Sequence, residues 1–276
     1  MAALASDQQS HPHRHVVYLA AQSDALAAEL EAVDSWERYG AVIEDAAGDL
    51  LGWLVGEIDE EIGRVWWLGP FVAGGDWSGP ATALYEHLRP SLPSAITQEE
   101  FAVDHFHQEL IDWATELGFV RETGSALLRL NGRESFDAPA VRPIESRDLD
   151  LVASMHDDVF PGSHLTGRQL VEGGDGSRIR LVVEHGGVVV GYVAAERQPD
   201  GDGYIDLLGV DPAHRRHGHG AELVGGAVSV LRRLGCRSVH LTVRETNRAA
   251  IGLYAGLGFT KERVLVPLRK GFSYDD

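Results

Sequence analysis

The chain of 276 residues carries 24 basic and 42 acidic side chains, a formal net charge of −18. So acidic a protein repels nucleic acid and anionic membrane surfaces unless its basic residues cluster. A single cysteine, Cys236, excludes an intrachain disulfide and a thiolate metal site, and no apolar run approaches the roughly 20 residues of a membrane span. With 44% apolar and 24% charged residues, the composition is globular and the length suits about two domains.

Residues 1–14 are polar, histidine-bearing and aperiodic, and read as a loose terminus. They have neither the basic start nor the apolar core of a signal peptide, so the expected location is cytoplasmic. His11, His13 and His15 alternate, a pattern that on a solvated tail reads as surface rather than metal site. Further on, the low-apolar stretch 131–140 holds Gly and Pro. A linker at 132–140 would separate a domain at 15–131 from one at 141–276.

The two halves repeat. In the first, DLLGWLVGEIDEEIGRVWWLGPFV is punctuated by Gly52, Gly63 and Gly69. In the second, VVVGYVAAERQPDGDGYIDLLGV is punctuated by Gly191, Gly203 and Gly209, at offsets of 139, 140 and 140. Leu117-Gly118-Phe119 likewise precedes Leu257-Gly258-Phe259 by 140. Both passages predict two strands around a turn.

In chain order the second half predicts a strand at 141–144 and helices at 148–160 and 165–171. Strands follow at 178–184, 188–196 and 204–210. A helix spans 218–234 with Gly235 as its stop, then come a strand at 239–243, a helix at 247–257 and the last strand or strands within 259–268. The fold class is therefore α/β, as two tandem domains, each a mixed central sheet flanked by helices.

The segment VDPAHRRHGHGAEL at 210–223 follows an apolar strand and opens the long helix. Arg215, Gly218 and Gly220 form an R-x-x-G-x-G arrangement. At such a junction backbone N–H groups point outward unpaired and the helix dipole adds partial positive charge. Arg215 and Arg216 would add charge-assisted contacts, so the segment suits an anion. The P-loop pattern is absent, and the dinucleotide pattern G-x-G-x-x-G fails because Leu223 stands at its third glycine. Zinc at His214, His217 and His219 lacks an acidic or cysteine partner, and no metal is expected. The plainer reading is a surface helix start eased by glycine.

Strand, V-D-P-x-x-R-R-x-G-x-G-A and helix together resemble the acyl-CoA-binding motif of the GNAT acetyltransferase superfamily. The segment from Asn247 to Phe259, NRAAIGLYAGLGF, resembles that family's second motif, N-x6-Y-x-x-x-G-F. The likeness covers residues 141–268, and the tandem arrangement is similar to that of the mycothiol synthases. It implies acetyl-CoA as co-substrate, with its pyrophosphate on the amides of Arg216, His217, Gly218, His219, Gly220 and Ala221 and Arg215 opening the motif. Backbone groups of Leu208 and Val210 would pair with the pantetheine arm and polarise the thioester carbonyl. Asn247 and Tyr254, two helical turns apart, would line the cleft.

Tyr254 is the expected proton donor to the departing thiolate; otherwise it is an aromatic core residue near Ile251 and Leu257. Asn247 reads equally as an N-cap. Asp206, placed by alternation on the face of Leu208 and Val210, is the candidate general base, with Glu196 behind it. The implied activity is acetyl transfer to a primary amine of a small molecule or peptide. The acceptor pocket is expected to involve the 160–168 connection, and aminoglycosides, polyamines and peptide N-termini all stay open. A different class of reading is a non-catalytic acyl-CoA-binding sensor or scaffold. No nucleic-acid or membrane partner is expected, and the sequence sets no oligomeric state.

In the first half, Ser78, Pro80 and Gly75 stand where Gly218, Gly220 and Arg215 stand in the second, and Asp76 adds a negative charge. Ala114 and His107 replace Tyr254 and Asn247. Proline deletes an N–H that a phosphate site needs. The first copy therefore reads as degenerate, keeping the fold and losing the cofactor site. Its Trp66 and Trp67 read as core packing, or else as an aromatic substrate wall.

Overall fold

Alternating strand and helix periods lay out the chain, and a computed structural model describes residues 1–17, 19, 23–33, 36–132, 136–161, 165–172, 178–198 and 200–271. The elements of the first half are α1 (Ala2–Gln9), α2 (Ser23–Ala32), α3 (Trp36–Tyr39), β1 (Gly40–Glu44), β2 (Leu50–Asp59), β3 (Arg64–Val72), α4 (Ser78–Leu88), β4 (Gln98–Asp104), α5 (Gln108–Glu116), β5 (Val120–Arg121) and β6 (Ser125–Asn131). Those of the second are β7 (Val141–Pro143), α6 (Leu149–Val159), α7 (Gly167–Glu172), β8 (Ile179–His185), β9 (Val188–Arg197), β10 (Gly203–Val210), α8 (His219–Arg233), β11 (Ser238–Arg244), α9 (Arg248–Gly256) and β12 (Thr260–Lys270). Every element expected in the second half is present, with ends within two residues of those read from the sequence. Among the described residues no helix is long and apolar enough to cross a membrane.

The chain forms two compact units, but not at the expected boundary. One contains residues 1–125 with the segment from 263 onward, the other residues 126–262. The first unit's sheet runs β1-β2-β3-β4-β12, with β5 on β12; the second unit's runs β6-β11-β10-β9-β8-β7. Each half has thus given its last strand to the other unit. Val264, Val266 and Leu268 of β12 lie in a core with Trp67 and Phe101, while Ala126, Leu128 and Leu130 of β6 lie in one with Leu223 and Val239. Both strands alternate apolar and polar residues in the same way. Alternation fixes which face is buried and leaves the partner edge open, so a split at 132–140 could not show the exchange.

The terminus read as loose is also structured. Helix α1 buries Ala5, Gln8 and Gln9 in the first unit. Its glutamines are buried because their amides meet backbone carbonyls, Gln8 Nε2 donating to Val72 O at 2.7 Å and Gln9 Nε2 to Val16 O at 2.8 Å. Trp67 is buried as a core residue, and its Nε1 donates to Glu99. Trp66 is half-buried beneath the Arg64 guanidinium, 5.4 Å from its ring.

In the second unit, helices cover both faces of the sheet. Leu223, Val224, Ala227, Val228 and Leu231 make a stripe at helical spacing that packs α8 on Val190, Val193, Ile205 and Leu241. On the opposite face Val152 and Met155 of α6 and Leu170 and Val171 of α7 pack against Val182, Tyr192, Ala194 and Leu207. Burying each of the larger side chains contributes about 1.5–3 kcal/mol, enough to fix α8 against its sheet.

Candidate active site

The site begins where two parallel strands part. The β10–β11 ladder covers Gly203–Ile205 against Val239–Leu241, yet β10 continues to Val210 and β11 to Arg244. Beyond Ile205, β10 keeps only its antiparallel partner β9. Asp211 N–H donates to Val190 O on that side, so by alternation the backbone groups of Val210 and Leu208 face the opening. The family resemblance expects both at a splayed strand edge, and their part in binding belongs to the proposal below. The Arg215 Nε donates to Val210 O at 3.1 Å, tying the loop to the strand end.

The loop turns into α8 through left-handed backbone at Arg216 (φ 70°) and at the N-cap Gly218 (φ 90°). Arg216 is the one non-glycine residue with positive φ among the described residues. The two glycines have different causes. A Cβ on Gly218 would meet nothing within 4 Å, so its backbone angle selects glycine; a Cβ on Gly220 would lie 2.8 Å from Leu253 Cδ1, the far end of a side chain on α9 that would have to shift. Of the first-turn amides of α8, those of His219 and Gly220 precede the first intrahelical acceptor, whereas the Ala221 N–H, expected at the pyrophosphate, already donates to Gly218 O at 2.9 Å. Arg215, Arg216 and His217 are exposed around them, while His219 is buried with its Nδ1 3.4 Å from Glu222. Outward amides, positive dipole end and two arginines fit a diphosphate.

Asn247 is the N-cap of α9, and its Oδ1 accepts from Ala250 N–H at 3.1 Å. Two turns along, Tyr254 is buried, its ring edge-on to Phe259 at 5.8 Å. Burial, with the neighbouring Tyr204 adding to it, pushes the Tyr254 phenol up to about 12. At neutral pH it is therefore a proton donor.

Asp206 is not on the face of Leu208 and Val210. The β9–β10 register shifts between Ile205 and Leu207, making Asp206 the extra residue of a β-bulge. Ile205 consequently packs with Leu223 and Leu241, while Leu207, two residues on, packs with Tyr192 and Met155 on the other face. Asp206 turns toward that α6–α7 face, where its charge helps raise the Tyr192 phenol behind the larger effect of burial. Arg178 joins the two base candidates, 3.1 Å from Asp206 Oδ2 and 3.7 Å from Glu196 Oε2.

The same face holds groups that sequence reading passed over. Buried His156 has Nε2 2.8 Å from Leu165 O and Nδ1 2.7 Å from the Tyr192 hydroxyl. A carbonyl only accepts, so Nε2 carries the proton and Tyr192 donates to Nδ1. This bond pins the α6–α7 connection to β9. Tyr204 lies near His240 and 3.2 Å from Thr242 Oγ1. None of these residues sits in a recognisable motif; only strand pairing brings them together. Residues 162–164 of the expected acceptor segment lie outside the described residues.

A sheet that splays beside a glycine-bearing helix start is an α/β arrangement suited to an extended anionic ligand, and known proteins share parts of it. Residues 149–259 match the model of the Acetyltransferase (GNAT) family. A mycothiol acetyltransferase of Geodermatophilus obscurus is 42% identical over 72 residues, 26% of this chain and 23% of that protein. A human N-alpha-acetyltransferase 30 is 40% identical over 63 residues, 23% of this chain and 17% of that protein. The aligned stretches thus span less than a quarter of either relative. Among solved structures, a GCN5-related N-acetyltransferase from Sphaerobacter thermophilus superposes with TM-score 0.77 at 16% identity, over 98% of this chain and 90% of that one. A tandem GNAT protein from the clavulanic acid biosynthesis pathway gives TM-score 0.61 at 16% identity, over 86% and 85%. The family match thus lies within the second unit, and over the whole chain the likeness to these structures is one of fold.

Proposed function

We propose that the second unit is an N-acetyltransferase that passes the acetyl group of acetyl-CoA to a primary amine of a small molecule or peptide. The observation that carries this reading is the opening beyond Ile205, with Leu208 and Val210 backbone facing it and the α8 amides at the same strand end. Acetyl-CoA supplies an acetyl group activated as a thioester. The amides of Arg216 through Ala221, with Arg215, hold its pyrophosphate. Leu208 and Val210 bind the arm and polarise the carbonyl; Asn247 and Tyr254 line the cleft.

The acceptor approaches from the α6–α7 face. An alkyl ammonium with pKa near 10.4 must lose a proton first, at a cost of about 4–5 kcal/mol at pH 7. Asp206, on that face just past the last paired residue Ile205, receives it, and Arg178 holds Asp206 in place. Tyr254 donates a hydrogen bond to the departing sulfur. It holds its proton more tightly than a thiol does in water, so transfer relies on the same dry surroundings making the thiolate more basic. Holding both reactants in one geometry supplies the remainder of the acceleration.

The test is CoA release from acetyl-CoA across a panel of aminoglycosides, polyamines and peptide N-termini. A turnover that falls steeply in Tyr254→Phe with acetyl-CoA affinity unchanged supports the enzyme. Tight acetyl-CoA binding without release for any amine favours the sensor or scaffold.

A further inference from the structure

We infer that the corresponding cleft of the first unit is a strand-accepting peptide site, filled by residues 8–17 of this same chain. The first unit repeats the splay: β3 and β4 pair in parallel at Arg64–Trp66 with Gln98–Glu100, then run on to Val72 and Asp104. A segment of backbone occupies the opening. Val17 N–H donates to Ala102 O at 2.7 Å, Asp104 N–H donates to His15 O at 3.0 Å, and Val16 bridges Val103 in antiparallel sense.

Edge alternation places this segment inside the splay. His105 N–H donates to Val264 O on β12, so the odd residues of this stretch face β12 and Ala102 and Asp104 face the β3 side. The opposite wall is engaged as well. Ala73 N–H donates to Leu51 O on β2, which turns Val72 O toward the cleft, where it accepts from Gln8 Nε2 at 2.7 Å. Gln9 clips the segment into shape, donating to Val16 O and Leu19 O and accepting from Val16 N–H at 2.7 Å. Val16 is fully buried and Gln9 nearly so.

The helix start next to this cleft carries its own anion. Asp76 Oδ1 lies 3.4 Å from Gly79 N at the opening of α4. Pro70, 140 residues before Val210, has no N–H to offer an extended ligand. A protein strand and a carboxylate therefore stand where an anionic, extended ligand would lie, and the ligand class of this cleft is an extended peptide.

Amide hydrogen exchange on the full chain tests this. Peptides covering 15–17 and 102–104 should exchange at least a hundredfold more slowly than an unstructured chain, and saturating acetyl-CoA should leave them unchanged. Exchange at the unstructured rate, or release of 15–17 by acetyl-CoA, overturns the inference. The first arm needs no ligand, so it stands apart from the reading of the second unit. Val17→Pro, which removes the bond to Ala102, should speed exchange at 102–104 at least tenfold with 216–221 unaffected. Unchanged exchange at 102–104 in that variant also overturns it. If Val17→Pro does not fold, the unsubstituted chain alone decides.

Discussion

His107 and Asn247 stand 140 residues apart and do the same work with different chemistry. His107 Nδ1 accepts from Leu110 N–H at 3.3 Å, and Asn247 Oδ1 accepts from Ala250 N–H at 3.1 Å. A position shared with a copy that lacks the tyrosine, Ala114 replacing Tyr254, is explained by the helix start. Asn247→Ala should therefore lower stability by about 1 kcal/mol, with Asn247→Ser restoring most of it. Thermal unfolding measures this. If the cleft role holds too, acetyl-CoA affinity should fall in Asn247→Ala by more than the stability loss accounts for.

The imidazole cap carries a pH cost. Burial, followed by the charges of Arg14, His13 and His15, pushes His107 down to about 3 from an ordinary 6.5. Between those values the unfolded chain binds a proton that the folded chain does not, so stability is complete above pH 6.5 and declines as pH falls toward 3. The slope is about 1.4 kcal/mol per pH unit from this one group. Denaturant unfolding should show His107→Asn, which caps without titrating, losing less stability than the parent between pH 6.5 and 4.5.

Tyr254→Phe removes the donor and keeps the ring on Phe259. Turnover with any competent amine should fall about 10²–10⁴-fold, with acetyl-CoA affinity within about twofold. Steady-state rates and calorimetry separate the two. An unaltered turnover would return Tyr254 to the core.

Asp206→Asn deletes the proposed proton acceptor. Its turnover should drop at pH 7 and climb about tenfold per pH unit toward the acceptor's pKa, because solution then supplies the free amine. The parent should rise less steeply. Parallel pH–rate profiles for the two would assign the proton to another group.

Much of this was legible in the sequence. The 140-residue offset pointed to two copies of one fold, and Arg215, Gly218, Gly220, Asn247 and Tyr254 marked a candidate site because their spacing is local. What escaped was non-local or irregular. Nothing in the alternation of Val264, Val266 and Leu268 says that they pair beside Val103. A single bulge residue reversed the face of Asp206, since alternation presumes an unbroken ladder. Arg178, 28 residues before Asp206, is an ordinary strand-start arginine until the sheet forms. Gln8 and Gln9 looked like a solvated tail because a buried glutamine is betrayed only by the carbonyls it meets.

The measurement that bears most directly on the account is a calorimetric titration of acetyl-CoA into the full chain, repeated with Gly220→Val. One site per chain is expected, weakened at least tenfold by a branched side chain on the turn that presents the α8 amides. Absence of binding, or binding indifferent to Gly220→Val, would contradict an acyl-CoA site at the start of α8.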